Sequence, residues 1–210
     1  MALLQYPAKG IYMNYLAHAY LSFNNANILA GNMISDFVKG KKQYNYPLPV
    51  LNGIKLHREI DAFTDNHQAT KKLKAFFAPQ YRLYASAFAD VVYDYFLAND
   101  KNQFATTDAL LNFCTNTYQM LDANIHQLPE PFLSMLPYMK QQNWLYNYQY
   151  DWGIQKSFNG VVKRSAYLTE SEFAFNIFCT HKAAMQECYN DFFPFVKKFA
   201  ENKVAQMFNY

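Results

Sequence analysis

Apolar residues recur at spacings of three and four along most of the chain, and strict polar-apolar alternation is scarce. That pattern predicts helices and offers little for strands. The periodic segments run from about Asn14 to Ser22, Ala26 to Val38, Pro49 to Phe63, Asn66 to Phe77, Arg82 to Ala98, Thr106 to Ile125, Pro131 to Tyr148, Trp152 to Arg164, Thr169 to Tyr189 and Phe193 to Met207. Breaks are signalled by Gly40, by Tyr44 to Pro49 with its two prolines, by Asn99-Asp100-Lys101-Asn102 and by Leu128-Pro129-Glu130-Pro131. None is long enough for a flexible interdomain linker, and no internal repeat or low-complexity tract occurs, so the fold class is all-α in a single domain.

Composition agrees. At 210 residues and 51% hydrophobic, the chain is long enough to bury a core, and its 6 glycines leave the helices few interruptions. No apolar run reaches bilayer-spanning length, and Pro7 and Lys9 interrupt the place where a signal peptide needs an apolar core, so a cytoplasmic protein without membrane contact is expected. The cysteines Cys114, Cys179 and Cys188 lack Cys-x-x-Cys spacing, which argues against a disulfide framework and a structural zinc site. A formal net charge of +3 is too weak to indicate nucleic acid. Lys39-Gly40-Lys41-Lys42 and Lys71-Lys72 with Lys74 read either as solvated surface or as a positive rim suited to an acidic or phosphorylated partner. Aromatic residues make up 19% of the chain; at helical spacing they read as core, although Trp144, Tyr146, Trp152 and Phe158 also fit a groove for an extended ligand.

The candidate chemistry lies in two helical segments. His57 stacks over Asp61 and Asp61 over Asp65, while Asp90 stacks over Asp94 among apolar and aromatic neighbours. Two carboxylates held together on a helix suited to burial cost stability unless a cation lies between them, and a divalent metal is the simplest such cation. One imidazole with carboxylates and no cysteine favours manganese, magnesium or iron over structural zinc. A plain helix-surface pair is the alternative for His57 and Asp61, and Asp65 reads as the cap of the helix opening near Asn66. Asp36 sits near the end of a predicted helix, where the dipole disfavours a carboxylate; Lys39, Lys41 or a metal would compensate. His18 reads as a core residue or a ligand, and Arg58 as a phosphate fork or a salt-bridge partner. Gly-x-Ser-x-Gly, P-loop and dinucleotide motifs are absent, which leaves metal-assisted hydrolysis as the leading chemistry.

Met13-Asn14-Tyr15-Leu16-Ala17-His18, Gly31-Asn32 through Asp36-Phe37-Val38-Lys39-Gly40, Gly53-Ile54-Lys55-Leu56-His57-Arg58 with Ile60-Asp61 and Thr64-Asp65, and Asp94-Tyr95-Phe96-Leu97 resemble, in order and spacing, the acyl carrier protein phosphodiesterase family. Trp144 to Tyr150 and Phe158-Asn159-Gly160 fit it too. The resemblance sets a domain at 13–210 and leaves 1–12 as an N-terminal extension. It implies an all-helical fold distantly similar to the HD-domain phosphohydrolases and hydrolysis of holo-acyl carrier protein to 4′-phosphopantetheine and apo-protein, typically with manganese. By motif it supplies Asp36, His57 and Asp61; by HD analogy and spacing it adds His18, Asp90 and Asp94 to the metal shell. Arg58 and Lys39 would offset phosphoryl charge, with Asp36 at the reaction centre and His67 as proton donor to the departing serine. Tyr20 and Tyr95 stand where some members carry histidine. Two further readings remain open: an HD-like phosphohydrolase acting on a small nucleotide or phosphoester, and a non-catalytic helical protein that binds carrier protein through an aromatic face.

Overall fold

The computed structural model describes residues 15–208; the expected extension at 1–12 lies outside them. Ten α-helices carry the fold among these residues: α1 (Tyr15–Tyr20), α2 (Ala26–Ile34), α3 (Leu48–Asn66), α4 (Gln68–Tyr81), α5 (Ala85–Asn99), α6 (Thr107–Ala123), α7 (Glu130–Gln141), α8 (Trp144–Asn147), α9 (Asp151–Arg164) and α10 (Glu172–Phe208). No strand occurs among the described residues, and none of the helices is long and apolar enough to cross a membrane. Asn25 and Thr106 cap α2 and α6 through their side chains, as short polar residues do at helix starts.

Helix α5 is the hub. From Val91 to Ala98 every residue is buried, so it packs on all sides, against α1, α4, α9 and α10. Phe88 meets Phe77 of α4 and Phe158 of α9 at ring-centroid separations of 5.5 and 5.1 Å, and Phe178 of α10 closes the cluster. Fully burying each such ring stabilises the fold by about 1.5–3 kcal/mol. Phe158 is therefore core, while Trp152 is half exposed and stacks on Tyr150.

Helices α2 and α3 approach backbone to backbone because Gly31 and Gly53 face each other. A Cβ on Gly31 would lie 2.0 Å from the Val50 carbonyl oxygen, and one on Gly53 would lie 2.2 Å from that of Ile28. Only glycine fits at this crossing.

Three boundaries differ from the sequence expectation. Helix α2 ends at Ile34, and a 3₁₀ turn at Ser35–Phe37 swings Asp36 out of the helix line; Val38 is extended and its N–H closes the turn on Ser35. The segment expected as one helix from Pro131 to Tyr148 breaks at Asn143, which adopts the left-handed region at φ 45°, a conformation asparagine tolerates. The break expected between Tyr189 and Phe193 is absent. Burial of Tyr189, Phe192, Phe193 and Val196 carries α10 through Pro194, and the kink falls instead at His181.

Candidate metal centre

The 3.6-residue repeat puts His57 and Asp61 on one face of α3, turned toward α1 and the 3₁₀ turn after α2. Asp61 spans two imidazoles: its Oδ1 lies 3.2 Å from His18 Nε2 and its Oδ2 lies 3.2 Å from His57 Nε2. Asp36 approaches the same His57 nitrogen at 3.5 Å. The two imidazole rings stack at 3.9 Å with planes 15° apart. One ligand atom from each of His18, His57 and Asp61 lies within 4.8 Å of the others, a convergence of two nitrogens and a carboxylate oxygen that suits a divalent ion.

Two observations test the fit. His18 is 2% exposed, and the approach of its Nε2 to Asp61 Oδ1 at 3.2 Å falls short of a well-formed hydrogen bond. A buried polar atom so weakly satisfied costs stability, and coordination through Nε2 would offset that cost at this nitrogen. His57 Nδ1 donates to the Asn32 carbonyl oxygen at 2.7 Å, a carbonyl in the last turn of α2. That bond fixes the ring and leaves Nε2 facing the carboxylates, as outer partners do for metal-binding histidines. The donor set fits a hard or borderline divalent cation.

Electrostatics agree. Burial alone would depress the His57 pKa, but hydrogen bonds with Asp36 and Asp61 hold it at about 10, so in the metal-free state a proton on His57 occupies the space between the two carboxylates. Burial and the neighbouring His57 charge push His18 down, which keeps it neutral and able to ligate. The partial burial of Asp61 alone would raise it, yet its contacts with His18 and His57 hold it well below the usual carboxylate range.

Asn32 is the residue the sequence reading did not assign. It is fully buried; its side-chain amide donates to the His18 carbonyl oxygen at 2.9 Å and to Ser22 Oγ at 3.0 Å, while its own carbonyl holds His57. One residue thereby aligns the two histidines. An asparagine amid Leu29, Ala30, Gly31, Met33 and Ile34 was the available signal.

The remaining expected site residues fall elsewhere. Asp94 does not face the cluster: its Oδ2 and Oδ1 accept the Leu16 and Ala17 amides at 3.1 and 2.8 Å, capping the start of α1 two residues before His18. Burial pushes its carboxyl up to about 8 against the pull of those amides. Asp90 is half-buried and outside the three-ligand group; burial, with Asp61, Asp65 and Asp94 nearby, raises its pKa. Arg58 donates to the Val38 carbonyl at 2.7 Å and to Gln43 Oε1 at 2.8 Å, so its guanidinium ties down the chain after Asp36. His67 caps α4 by accepting the Ala69 amide and sits against Phe63, Phe192 and Phe195; it, and not Asp65, is the cap, because Asp65 pairs with Lys74 at 2.9 Å. Lys39 is exposed just beyond Asp36. Tyr20 and Tyr95 also turn away, to Gln103 with Lys197 and to Lys182.

Fold and site together define an all-helical protein in which two buried histidines and one half-buried carboxylate form a centre suited to a divalent cation. A family model described as acyl carrier protein phosphodiesterase matches residues 13–196, and the chain belongs to that family. Among relatives bearing the same name, that of Klebsiella pneumoniae (strain 342) is 32% identical over 191 residues, covering 91% of this chain and 99% of the relative. Those of Enterobacter sp. (strain 638) and Photorhabdus laumondii subsp. laumondii are 31% and 29% identical over the same share of this chain, covering 99% and 96% of their own. No solved structure matches the chain, so the expected likeness to HD-domain phosphohydrolases gains no structural counterpart.

Proposed function

We propose that this protein is a metal-dependent phosphodiesterase that hydrolyses the bond joining 4′-phosphopantetheine to the serine of holo-acyl carrier protein, releasing the apo-protein. The observation that carries the reading is the convergence of His18, His57 and Asp61 in a chain of this family. His18 Nε2, His57 Nε2 and Asp61 would hold the ion, with Asp36 beside them. Such an ion, most simply Mn²⁺, with Mg²⁺ or Fe²⁺ sharing the same ligand preferences, supplies a water of lowered pKa and neutralises charge on a phosphoryl oxygen.

The chain's own contributions are orientation and charge. Asn32 and the Gly31–Gly53 crossing fix where His57 points, and Asp94 fixes the start of the helix that carries His18. Asp36 is half-buried at the cluster's edge and followed by exposed Lys39, so an approaching phosphodiester anion meets a cation at the entrance. A cytoplasmic location accords with a carrier-protein substrate. The intact mass of purified holo-carrier protein after incubation with Mn²⁺ tests the reading. Loss of the phosphopantetheine mass, prevented by a chelator, is expected; an unchanged mass with metal bound would contradict it.

A further inference from the structure

From Phe37 to Arg58 the chain holds Lys39, Lys41, Lys42, Lys55 and Arg58 and no aspartate or glutamate, although the protein's overall charge is only +3. The first part of that stretch folds as a six-residue 3₁₀ helix, Gly40–Asn45. Gly40 opens it at φ 55°, a left-handed conformation that a residue with Cβ adopts only under strain. In a 3₁₀ helix residues three apart eclipse, so Lys41 lines up with Tyr44, Lys42 with Asn45 and Gly40 with Gln43. The Gln43 edge faces inward and is tied to Arg58, the residue beside the metal-site His57. The other two edges face solvent: Lys41 and Lys42 are exposed, and Tyr44 is 65% exposed. Leu48, at the start of α3, is also 65% exposed. Large apolar side chains this open, set among cations and fastened next to a catalytic centre, are the composition of a docking face for an acidic protein.

We infer that the turn at Gly40–Asn45, with Leu48, is where the carrier protein docks: Lys41 and Lys42 meet carboxylates of the partner, and Tyr44 and Leu48 supply the apolar contact. This rests on the proposed reaction, which requires a protein substrate to present its phosphodiester beside Asp36 and His57. The Arg58 fork ties the docking turn to the metal-site helix, so a partner held by the turn is held near the site.

The test compares wild type with Lys41→Glu/Lys42→Glu and with Tyr44→Ala/Leu48→Ala on two substrates, holo-carrier protein and bis(p-nitrophenyl) phosphate, both with Mn²⁺. On the carrier protein, each pair is expected to lower kcat/KM by about tenfold or more through KM, with the lysine pair also flattening the salt dependence. Hydrolysis of the small diester should stay at the wild-type level. Unchanged carrier turnover in both variants overturns the docking face while leaving the proposed function intact, and equal loss on both substrates shows that the turn shapes the metal site instead. Should the wild type hydrolyse the small diester but leave the carrier intact, the proposed function itself fails, and the docking face with it. Lysine-dependent binding to phosphatidylglycerol vesicles, with none to the carrier, would then reassign the surface to a lipid headgroup.

Discussion

The Asn32 carbonyl oxygen accepts the Nδ1 proton of His57 at 2.7 Å, and the Asn32 side-chain amide reaches the His18 carbonyl oxygen at 2.9 Å. A single asparagine in α2 thus links the two histidines of the centre from outside it. Substituting Asn32→Ala keeps the backbone carbonyl but removes both amide bonds. Stability should fall by about 1–3 kcal/mol and metal affinity by about 10–100-fold, with no ligand touched. Denaturant melts and Mn²⁺ titration calorimetry would check both; wild-type affinity would limit Asn32 to a packing role.

The backbone crossing that makes this bond reachable leaves no room for a methyl group. Gly31→Ala puts Cβ at 2.0 Å from the Val50 carbonyl, so α2 and α3 must separate. A loss of about 1–3 kcal/mol or more is expected, together with weakened metal binding, because His57 moves with α3 while Asn32 moves with α2. A melting temperature equal to wild type would contradict that geometry.

Asp61 and Asp94 are both carboxylates near His18, and isosteric replacement separates their roles. Asp61→Asn should abolish metal binding and turnover. Asp94→Asn turns one acceptor into a donor facing a backbone amide, so it should cost about 1–3 kcal/mol of stability while leaving a measurable metal site. Loss of binding without loss of stability in Asp94→Asn would place Asp94 among the ligands.

The pH dependence follows from His57. Its pKa stands at about 10 in the folded metal-free protein against 6.5 for the free side chain, so the folded state holds a proton the unfolded state lacks between those values. That stabilisation is complete below pH 6.5 and is lost as pH rises toward 10. Asp61, held low, contributes stability above the ordinary carboxylate pKa of 3.8 and loses it as pH falls. A metal ion must displace the His57 proton, so its affinity should rise by up to about tenfold per pH unit over the range where His57 is protonated. Melting curves should therefore show Tm falling from pH 6.5 to about 8.5 with a chelator present, while the increment from Mn²⁺ grows. A pH-independent increment would mean that no proton leaves on binding.

Arg58→Lys retains charge but loses the fork that spans Val38 and Gln43. Limited proteolysis within 38–46 should quicken, and carrier turnover should drop mainly through KM. A fall in kcat with unchanged proteolysis would restore Arg58 to the phosphoryl group.

The sequence carried the helical architecture well because apolar spacing reports directly on which face is buried, and the helices around α5 follow it. It carried His57 with Asp61 because both lie on one helix, where spacing is geometry. His18 and Asp36 reach that pair only through tertiary structure, and motif order, not periodicity, brought them forward. Asp94 was conspicuous as a buried carboxylate, which needs partners, and the backbone amides of α1 that it meets are remote in sequence and beyond the reach of helical spacing. Arg58 and His67 have side chains whose chemistry suits catalysis, but neighbouring carbonyls and aromatic rings, remote in sequence, claim them. The persistence of α10 through Pro194 is likewise a tertiary effect, set by buried rings.

The most direct test titrates Mn²⁺ into chelator-stripped wild type and Asp61→Asn while following both bound metal and the mass of holo-carrier protein. In the wild type, turnover should appear in proportion to occupancy of a tight site, and Asp61→Asn should show neither. Carrier hydrolysis by Asp61→Asn at the wild-type rate, or by wild type with no metal bound, would contradict a reaction built on His18, His57 and Asp61.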